Sequence, residues 1–553
     1  MATTKKRKVL VCCFGSRGDV QPFAALARGL QDYNGGKSFD VLGITNVNDG
    51  KSIFDSLGVE ARGVHFDMAD FIRDDPKMKK ALETGNAVQF GLIMSKAFVD
   101  HFPKEFSMQW KIARDFKPDL IVASTLMFLQ ASSIGQALRV PVVHADLGIF
   151  SFLPVSKHTQ TEMHEPKCLH KALSFFCVAG MLMPFRHNNK DGDSLYGTMR
   201  HELQAIVPES ERLLGQDGGG QYVREWMNPL TPNLFAVSDS VLPKSKFDDL
   251  PPLYAERSIW TGNWYVSKII QEGLARSGDH NFSNGDNDNN KDDGNKKPEE
   301  NTQTTILEFI EKQRKHRAAK KGRDDGVGPA YIGWGSMVAV SSEHMIRLAV
   351  QSLKLAGLSG IVLGGFAKLN QGLLDDEKDK DLCEYAEKHV LFLQSAPHEW
   401  LFPRCSVTVH HGGAGTTAAA LRSGVPTIVT PCIADQYDNA TLVEEAGCGI
   451  GFKKPLRRIS PKQLASAIAQ CATGKNNKDS LRSNCRRVAG ALEKEDGIQN
   501  AIEEIENFIA KRLDSGQWRK EFDARLEQRS QEPWTLGRAV YRVMFYKEPF
   551  VER

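Results

Sequence analysis

Apolar positions along the chain gather into short, wholly apolar runs set between longer amphipathic ones. Lys8–Phe14, Phe39–Ile44, Asp119–Ala123, Pro141–His144, Ala330–Trp334, Gly360–Leu363, Val407–His410 and Thr427–Thr430 read as buried strands, with helical patterns between most of them. Short buried strands alternating with helices predict parallel, doubly wound α/β sheets. Two of the runs open in the same way, with a strand entering a glycine turn and then a helix. Lys8–Phe14 leads through Gly15-Ser16-Arg17-Gly18-Asp19 into VQPFAALARGL, and Ala330–Trp334 leads through Gly335-Ser336 into SSEHMIRLAVQSLKLAG. The pattern therefore predicts two Rossmann-like domains joined by a linker. Ligands of such sheets sit beyond the carboxyl ends of the strands, here in the cleft expected between the domains.

Polar composition marks the boundary between the halves. Residues 277–303 contain almost no apolar side chains, cannot bury a core and read as disordered. A second polar run, Lys312–Gly328, follows the short helical pattern ILEFIEK. The expected domains are an N-terminal one over 1–250, a linker over 251–328, a C-terminal one over 329–495, and helices with a tail over 496–553. Ile459–Leu513 reads as amphipathic helices, while Asp514–Arg553, rich in Arg and aromatics, reads either as a docked helix or as a partner-binding segment.

Composition changes this picture little. The chain has 553 residues, 41% hydrophobic and 25% charged, as expected of an ordinary globular protein. A net charge of +3 on that length gives no argument for a nucleic-acid partner. Ten cysteines without a C-x-x-C pair, and no apolar run as long as a membrane span, predict a cytoplasmic protein with reduced thiols. Lys5–Lys8 (KKRK) reads as a solvated tail ahead of the first strand, with a nuclear signal as the alternative.

Candidate chemistry concentrates at Pro397–Gln436. SVTVH reads as a buried strand and TTAAALRSG as a helix; the turn between them is His411-Gly412-Gly413-Ala414-Gly415-Thr416-Thr417. Such a turn brings backbone N–H groups close to an anion at a helix N-terminus, and the glycines equally permit tight strand–helix packing. The full string HHGGAGTTAAALRSGVPTIVTP resembles the nucleotide-sugar signature of family 1 glycosyltransferases, most closely the sterol glucosyltransferase branch. GSRGDVQPFAALARGL and PNLFAVSDSVLPK are similar to further hallmarks of that branch, so the resemblance spans most of the chain from Val9 to about Gly451.

The resemblance implies a GT-B fold of two facing domains and inverting transfer of a hexose from a UDP-sugar, with neither cofactor nor metal. It implies that the nucleotide sugar meets His411, Gly413, Ala414, Gly415, Thr416 and Thr417, with Ser336 nearby, that Asp435 and Gln436 hold the sugar, and that His398 and Trp400 lie toward the base. His410 reads as a core residue at a strand end, and Trp400 equally as core. Inverting transfer needs a base at the acceptor hydroxyl. The first turn offers only Asp19, which also stands where an N-cap would cover a helix beginning at Val20. Ser395 and Ala419 replace a tryptophan and a glutamate of plant relatives and leave UDP against TDP open.

A lipophilic acceptor, foremost a sterol, is expected against the N-terminal half. Aromatic clusters there include Phe150, Phe152 and Phe176, and Ser174–Phe185 reads as an acceptor pocket, a membrane-surface patch or a core helix. Another acceptor, or nucleotide-sugar binding without turnover, stays open. A Rossmann dehydrogenase is disfavoured because Gly15–Asp19 lacks G-x-G-x-x-G.

Overall fold

The computed structural model describes residues 6–84, 87–148, 195–208, 211, 213–214, 222, 225–226, 229–247, 252–265, 300–322, 326–433, 435–473 and 478–531. The chain divides into two compact units. One comprises Met1–Met68, Gly91–Val266 and Glu495–Arg553, and the other Ala69–Phe90 and Ser267–Lys494.

The first unit is built on a seven-stranded parallel sheet, ordered β3-β2-β1-β4-β5-β6-β7. Its strands are β1 (Arg7–Cys12), β2 (Phe39–Asn46), β3 (Ala61–His65), β4 (Leu120–Ser124), β5 (Val142–Asp146), β6 (Asn233–Phe235) and β7 (Ser258–Trp260). β1 pairs with both β2 and β4, so the chain changes direction across the sheet at the end of β1, where a ligand site is expected. Residues on one face of these strands, Leu10, Cys12, Ile44, Ile121 and Ala123, pack with Phe102, Phe106 and Trp110 of the Ala87–Phe116 helix. The opposite-facing Val9, Val11, Leu120 and Val122 are equally buried, which is why the strands read as continuous apolar runs.

The C-terminal segment belongs to this unit. The Gly497–Phe508 helix lies so close to the Arg17–Gly36 helix that a Cβ on Gly29 would stand 2.4 Å from Ile498. Glu495 accepts from Ser238 and Ser240 at 2.7 and 2.9 Å, and Asn500 donates to the Thr261 carbonyl at 2.8 Å.

The second unit holds a six-stranded parallel sheet, β10-β9-β8-β11-β12-β13. These are β8 (Ala330–Gly333), β9 (Gly360–Leu363), β10 (Val390–Leu393), β11 (Val407–His410), β12 (Thr427–Val429) and β13 (Gly449–Gly451). β8 pairs with β9 and β11, so here the direction changes at the end of β8. The polar run expected to be linker is in large part ordered, because Glu300–Lys321 forms a single helix. Ile306 is its fully buried anchor, packing with Tyr331, Ile361 and Leu401. Among the described residues no helix is long and apolar enough to cross a membrane.

Candidate functional site

In the first unit, β1 delivers the chain into Gly15, whose φ of +142° only glycine adopts readily. The following helix runs from Arg17, not Val20, and its N-cap is Ser16. Asp19 is therefore not the N-cap; it sits three residues on and closes a capping box. Its Oδ2 accepts from the Ser16 N–H at 2.7 Å and from the Ser16 hydroxyl at 2.8 Å. The carboxylate lies against Gly15, where a Cβ would be 2.5 Å from Oδ2. Burial raises the Asp19 pKa and the Ser16 hydrogen bonds only partly offset it. A carboxylate so placed keeps basicity that an exposed one lacks.

Asn46, at the end of β2, holds this turn from the other side. Its amide donates to the Gly15 carbonyl at 2.8 Å, and its oxygen accepts the Gly15 N–H at 3.4 Å. Sequence reasoning passed over Asn46. The available signal was a lone amide closing an otherwise apolar strand, FDVLGITN.

In the second unit, β11 ends at His410 and the Ala414–Arg422 helix begins after Gly413. His410 is fully buried, as expected of a strand-end core residue. Its Nδ1 accepts the Gly412 N–H at 3.1 Å, so its proton rests on Nε2, 2.9 Å from the Thr427 hydroxyl. Burial holds its pKa well below the usual range, with His411 and His398 adding to the effect. Gly412 takes φ +96°, and its carbonyl accepts from the Asn439 amide at 2.8 Å. Asn439 thereby anchors the turn.

His411 lies between two glycines. A Cβ on Gly335 would stand 3.1 Å from its Cε1, and one on Gly413 would stand 2.7 Å from its Nε2. Gly335 follows β8, so both strand ends at the change of direction converge on this imidazole. Burial lowers its pKa to about 4, and it is neutral at pH 7. Its buried Nδ1 has no hydrogen-bond partner among the described residues. Ser336, partly exposed, belongs to the same turn as Gly335.

The helix N-terminus beside His411 is open. Thr417 N–H and hydroxyl both return to the Gly413 carbonyl at 2.9 Å, so the Thr417 side chain is engaged internally. The N–H groups of Ala414, Gly415 and Thr416 precede that first helical bond, and nothing stands within 4 Å of a Cβ on Gly415. Asp435 is exposed at the start of the Gln436–Glu445 helix. Gln436 is buried, its oxygen accepting from the N–H of Cys432 at 2.8 Å and of Ile433 at 3.2 Å. His398 stacks on Phe402 at 4.5 Å, with Nε2 3.0 Å from the Tyr331 hydroxyl. Trp400 carries the Arg404 guanidinium over its ring at 4.1 Å. Phe150, Phe152, Phe176 and the Ser174–Phe185 stretch lie outside the described residues.

Comparison with known proteins agrees with the motif reading. Residues 373–495 match the family described as "Erythromycin biosynthesis protein CIII-like, C-terminal domain". The chain is 25% identical over 511 residues to the sterol 3-beta-glucosyltransferase of Candida albicans, covering 90% of this chain and 27% of that relative. It is 34% identical over 189 residues to the sterol 3-beta-glucosyltransferase of Saccharomyces cerevisiae, covering 34% of this chain and 15% of that relative. The chain thus spans 27% of the length of the first of these relatives. Among solved structures, the glycosyltransferase of kitacinnamycin superposes with a TM-score of 0.53 at 13% identity, covering 91% of this chain and 99% of that one. The calicheamicin glycosyltransferase gives a TM-score of 0.52 at 14% identity, covering 92% and 99%. The two parallel-sheet α/β units are those of the GT-B glycosyltransferase fold, and the resemblance to the sterol glucosyltransferase branch is borne out.

Proposed function

We propose that this chain is a glycosyltransferase that moves a hexose, glucose foremost, from UDP-sugar to a hydroxyl of a lipophilic acceptor such as a sterol. The observation that carries the reading is the His411 turn. A neutral imidazole is fixed between Gly335 and Gly413, its Nε2 toward Gly413 and its buried Nδ1 without a partner among the described residues, at the turn that opens the helix with the N–H groups of Ala414, Gly415 and Thr416. A diphosphate would satisfy these groups together, with the helix N-terminus favouring its charge. The likeness to sterol 3-beta-glucosyltransferases supports the acceptor class.

The chemistry is an inverting displacement. The acceptor oxygen forms its bond to the anomeric carbon as the bond from that carbon to the phosphate oxygen breaks. The departing diphosphate keeps the electron pair, and donors already aimed at it lower the barrier. Asp19 takes the hydroxyl proton, and its raised pKa suits it to that role. Asp435 and Gln436 contact the sugar in this reading, Gln436 after exchanging its present backbone partners. No metal takes part.

The test is incubation with labelled UDP-glucose and an extracted lipid pool, followed by product identification. Labelled glycolipid from the wild type, reduced by about 10²–10⁴-fold in Asp19→Asn, is expected. Release of sugar to water alone would refute transfer, and wild-type turnover by Asp19→Asn would remove Asp19 as the base. Chelation should leave the rate unchanged; loss restored by Mg²⁺ would contradict the metal-free step.

A further inference from the structure

The Glu300–Lys321 helix carries a charge pattern that donor binding and transfer do not use. From residue 312 onward its sequence holds Lys312, Arg314, Lys315, Arg317, Lys320 and Lys321 without one acidic residue. Lys312, His316 and Lys320 recur every fourth position and so share one flank. Lys312, Lys315, His316 and Lys320 are exposed.

Packing fixes this flank against further cations. Gln313 is buried and donates to the Lys388 carbonyl at 2.7 Å, while its oxygen lies 3.0 Å from His389 Nδ1. The His316 and His389 rings stand 5.3 Å apart. Burial, and then the neighbouring His316, Lys320, Lys388 and Lys312, lower the His389 pKa. One carboxylate, Glu311, borders the patch and lies 3.6 Å from Lys315 and 4.0 Å from Arg314. On the other flank, Arg317 donates to the Gly357 carbonyl at 3.2 Å, which brings the end of the Ser342–Ala356 helix alongside. Leu355 on that helix is a large apolar side chain 53% exposed.

From this juxtaposition we propose that the basic half of the Glu300–Lys321 helix, with Lys388 and the neighbouring Leu355, is a docking surface for an anionic lipid bilayer. The phosphates and carboxylates of such a surface attract clustered lysines, and an exposed leucine can enter the headgroup region. A nucleic acid fits less well, because among the described residues of the helix the exposed ring beside the cations is the small imidazole of His316, with no exposed Phe, Tyr or Trp for base stacking. The role rests on the transferase reading in one respect only, that a lipid acceptor is met at a membrane.

The test is flotation of the full chain with phosphatidylcholine vesicles, with and without phosphatidylserine, at low and high salt. The comparison variant is Lys312→Glu/Lys315→Glu/Lys320→Glu, whose positions are exposed, with its thermal transition checked against wild type. Binding that requires phosphatidylserine, weakens with salt and falls by about tenfold or more in the variant is expected. A Lys→Gln triple at the same positions should lie between the two. Equal binding to both vesicles, an unaffected variant, or displacement of bound protein by an RNA homopolymer at equal phosphate would each overturn the proposal. Transfer to a detergent-dispersed acceptor should be the same in wild type and variant. Its absence in both would sink the transferase reading while leaving the flotation result to stand.

Discussion

Asp19 commits one oxygen to the fold and, in the proposed mechanism, has the other for the acceptor proton. Oδ2 takes both Ser16 hydrogen bonds, which lower the pKa against the larger effect of burial. Removing the hydroxyl in Ser16→Ala should therefore raise the Asp19 pKa further. The acid limb of the kcat/KM–pH profile should move to higher pH while the plateau stays; an unmoved limb would disconnect Asp19 from the rate. His411 makes an opposite prediction for stability. Its folded pKa of about 4 lies below the ordinary 6.5, so the unfolded chain binds the proton more readily. Stability from this group is complete above pH 6.5 and is lost as pH falls toward 4, by up to about 3 kcal/mol. Denaturant unfolding of wild type and His411→Gln from pH 7 to 4 measures it, with a flatter dependence expected in the variant. Identical slopes would show that the imidazole is not buried in solution.

Between the strand and the helix, the His411–Thr417 turn divides its glycines by task, and substitution separates them. Gly412 needs φ +96°, and a Cβ there would stand 2.6 Å from Val429 Cγ1 and 3.0 Å from the Gln436 carbonyl. Gly412→Ala should cost more than about 1 kcal/mol and disturb the turn. Gly415 lies inside the helix with open space around it. Gly415→Ala should leave stability unchanged or raise it by up to about 1 kcal/mol, yet weaken donor binding by crowding the N–H groups. Thermal unfolding with and without UDP distinguishes them; full UDP protection of Gly415→Ala would remove the anion from this helix end. The turn was legible in the sequence because glycines, threonines and a flanking apolar strand leave few other conformations. Its supports were not: His410 and Asn439 act through contacts that only folding creates. The same limit hid β3, β6, β7 and β13, whereas β10, VLFL, is an apolar run that sequence reasoning passed over. NLF, SIW and GIG are too short to display a period, and β3, ARGVH, mixes polar with apolar positions. The Glu300–Lys321 helix was legible only at ILEFIEK, for a related reason. Ile306 and Gln313 bury one narrow stripe, while the rest of its surface has a linker's composition.

At the scale of the whole chain, the C-terminal segment secures the first unit with a charge placed where water is scarce. Glu225 accepts from Arg525 at 2.8 Å and from Arg529 at 2.7 Å, with Arg529 6% exposed. Burial alone would raise the Glu225 pKa, but the two guanidiniums outweigh it and the net direction is downward. A buried ion pair is weak evidence of net stabilisation, because desolvation costs about as much as the pairing returns. Removing one partner is different, since the other charges stay buried without compensation. Glu225→Gln should therefore destabilise the first unit by about 3–5 kcal/mol, whereas a joint Glu225→Leu/Arg525→Met/Arg529→Leu variant should recover much of that loss. The wild-type contribution should be present above the ordinary glutamate pKa of 4.5 and fade as pH falls below it, because the depressed group must be protonated. Urea unfolding of the three proteins at pH 7 and pH 4 reads both effects. If Glu225→Gln matched the wild type at pH 7, the pair would hold no weight in solution, and the Gln517–Gln531 helix would have to be held by its apolar contacts, Trp518 and Leu526, instead.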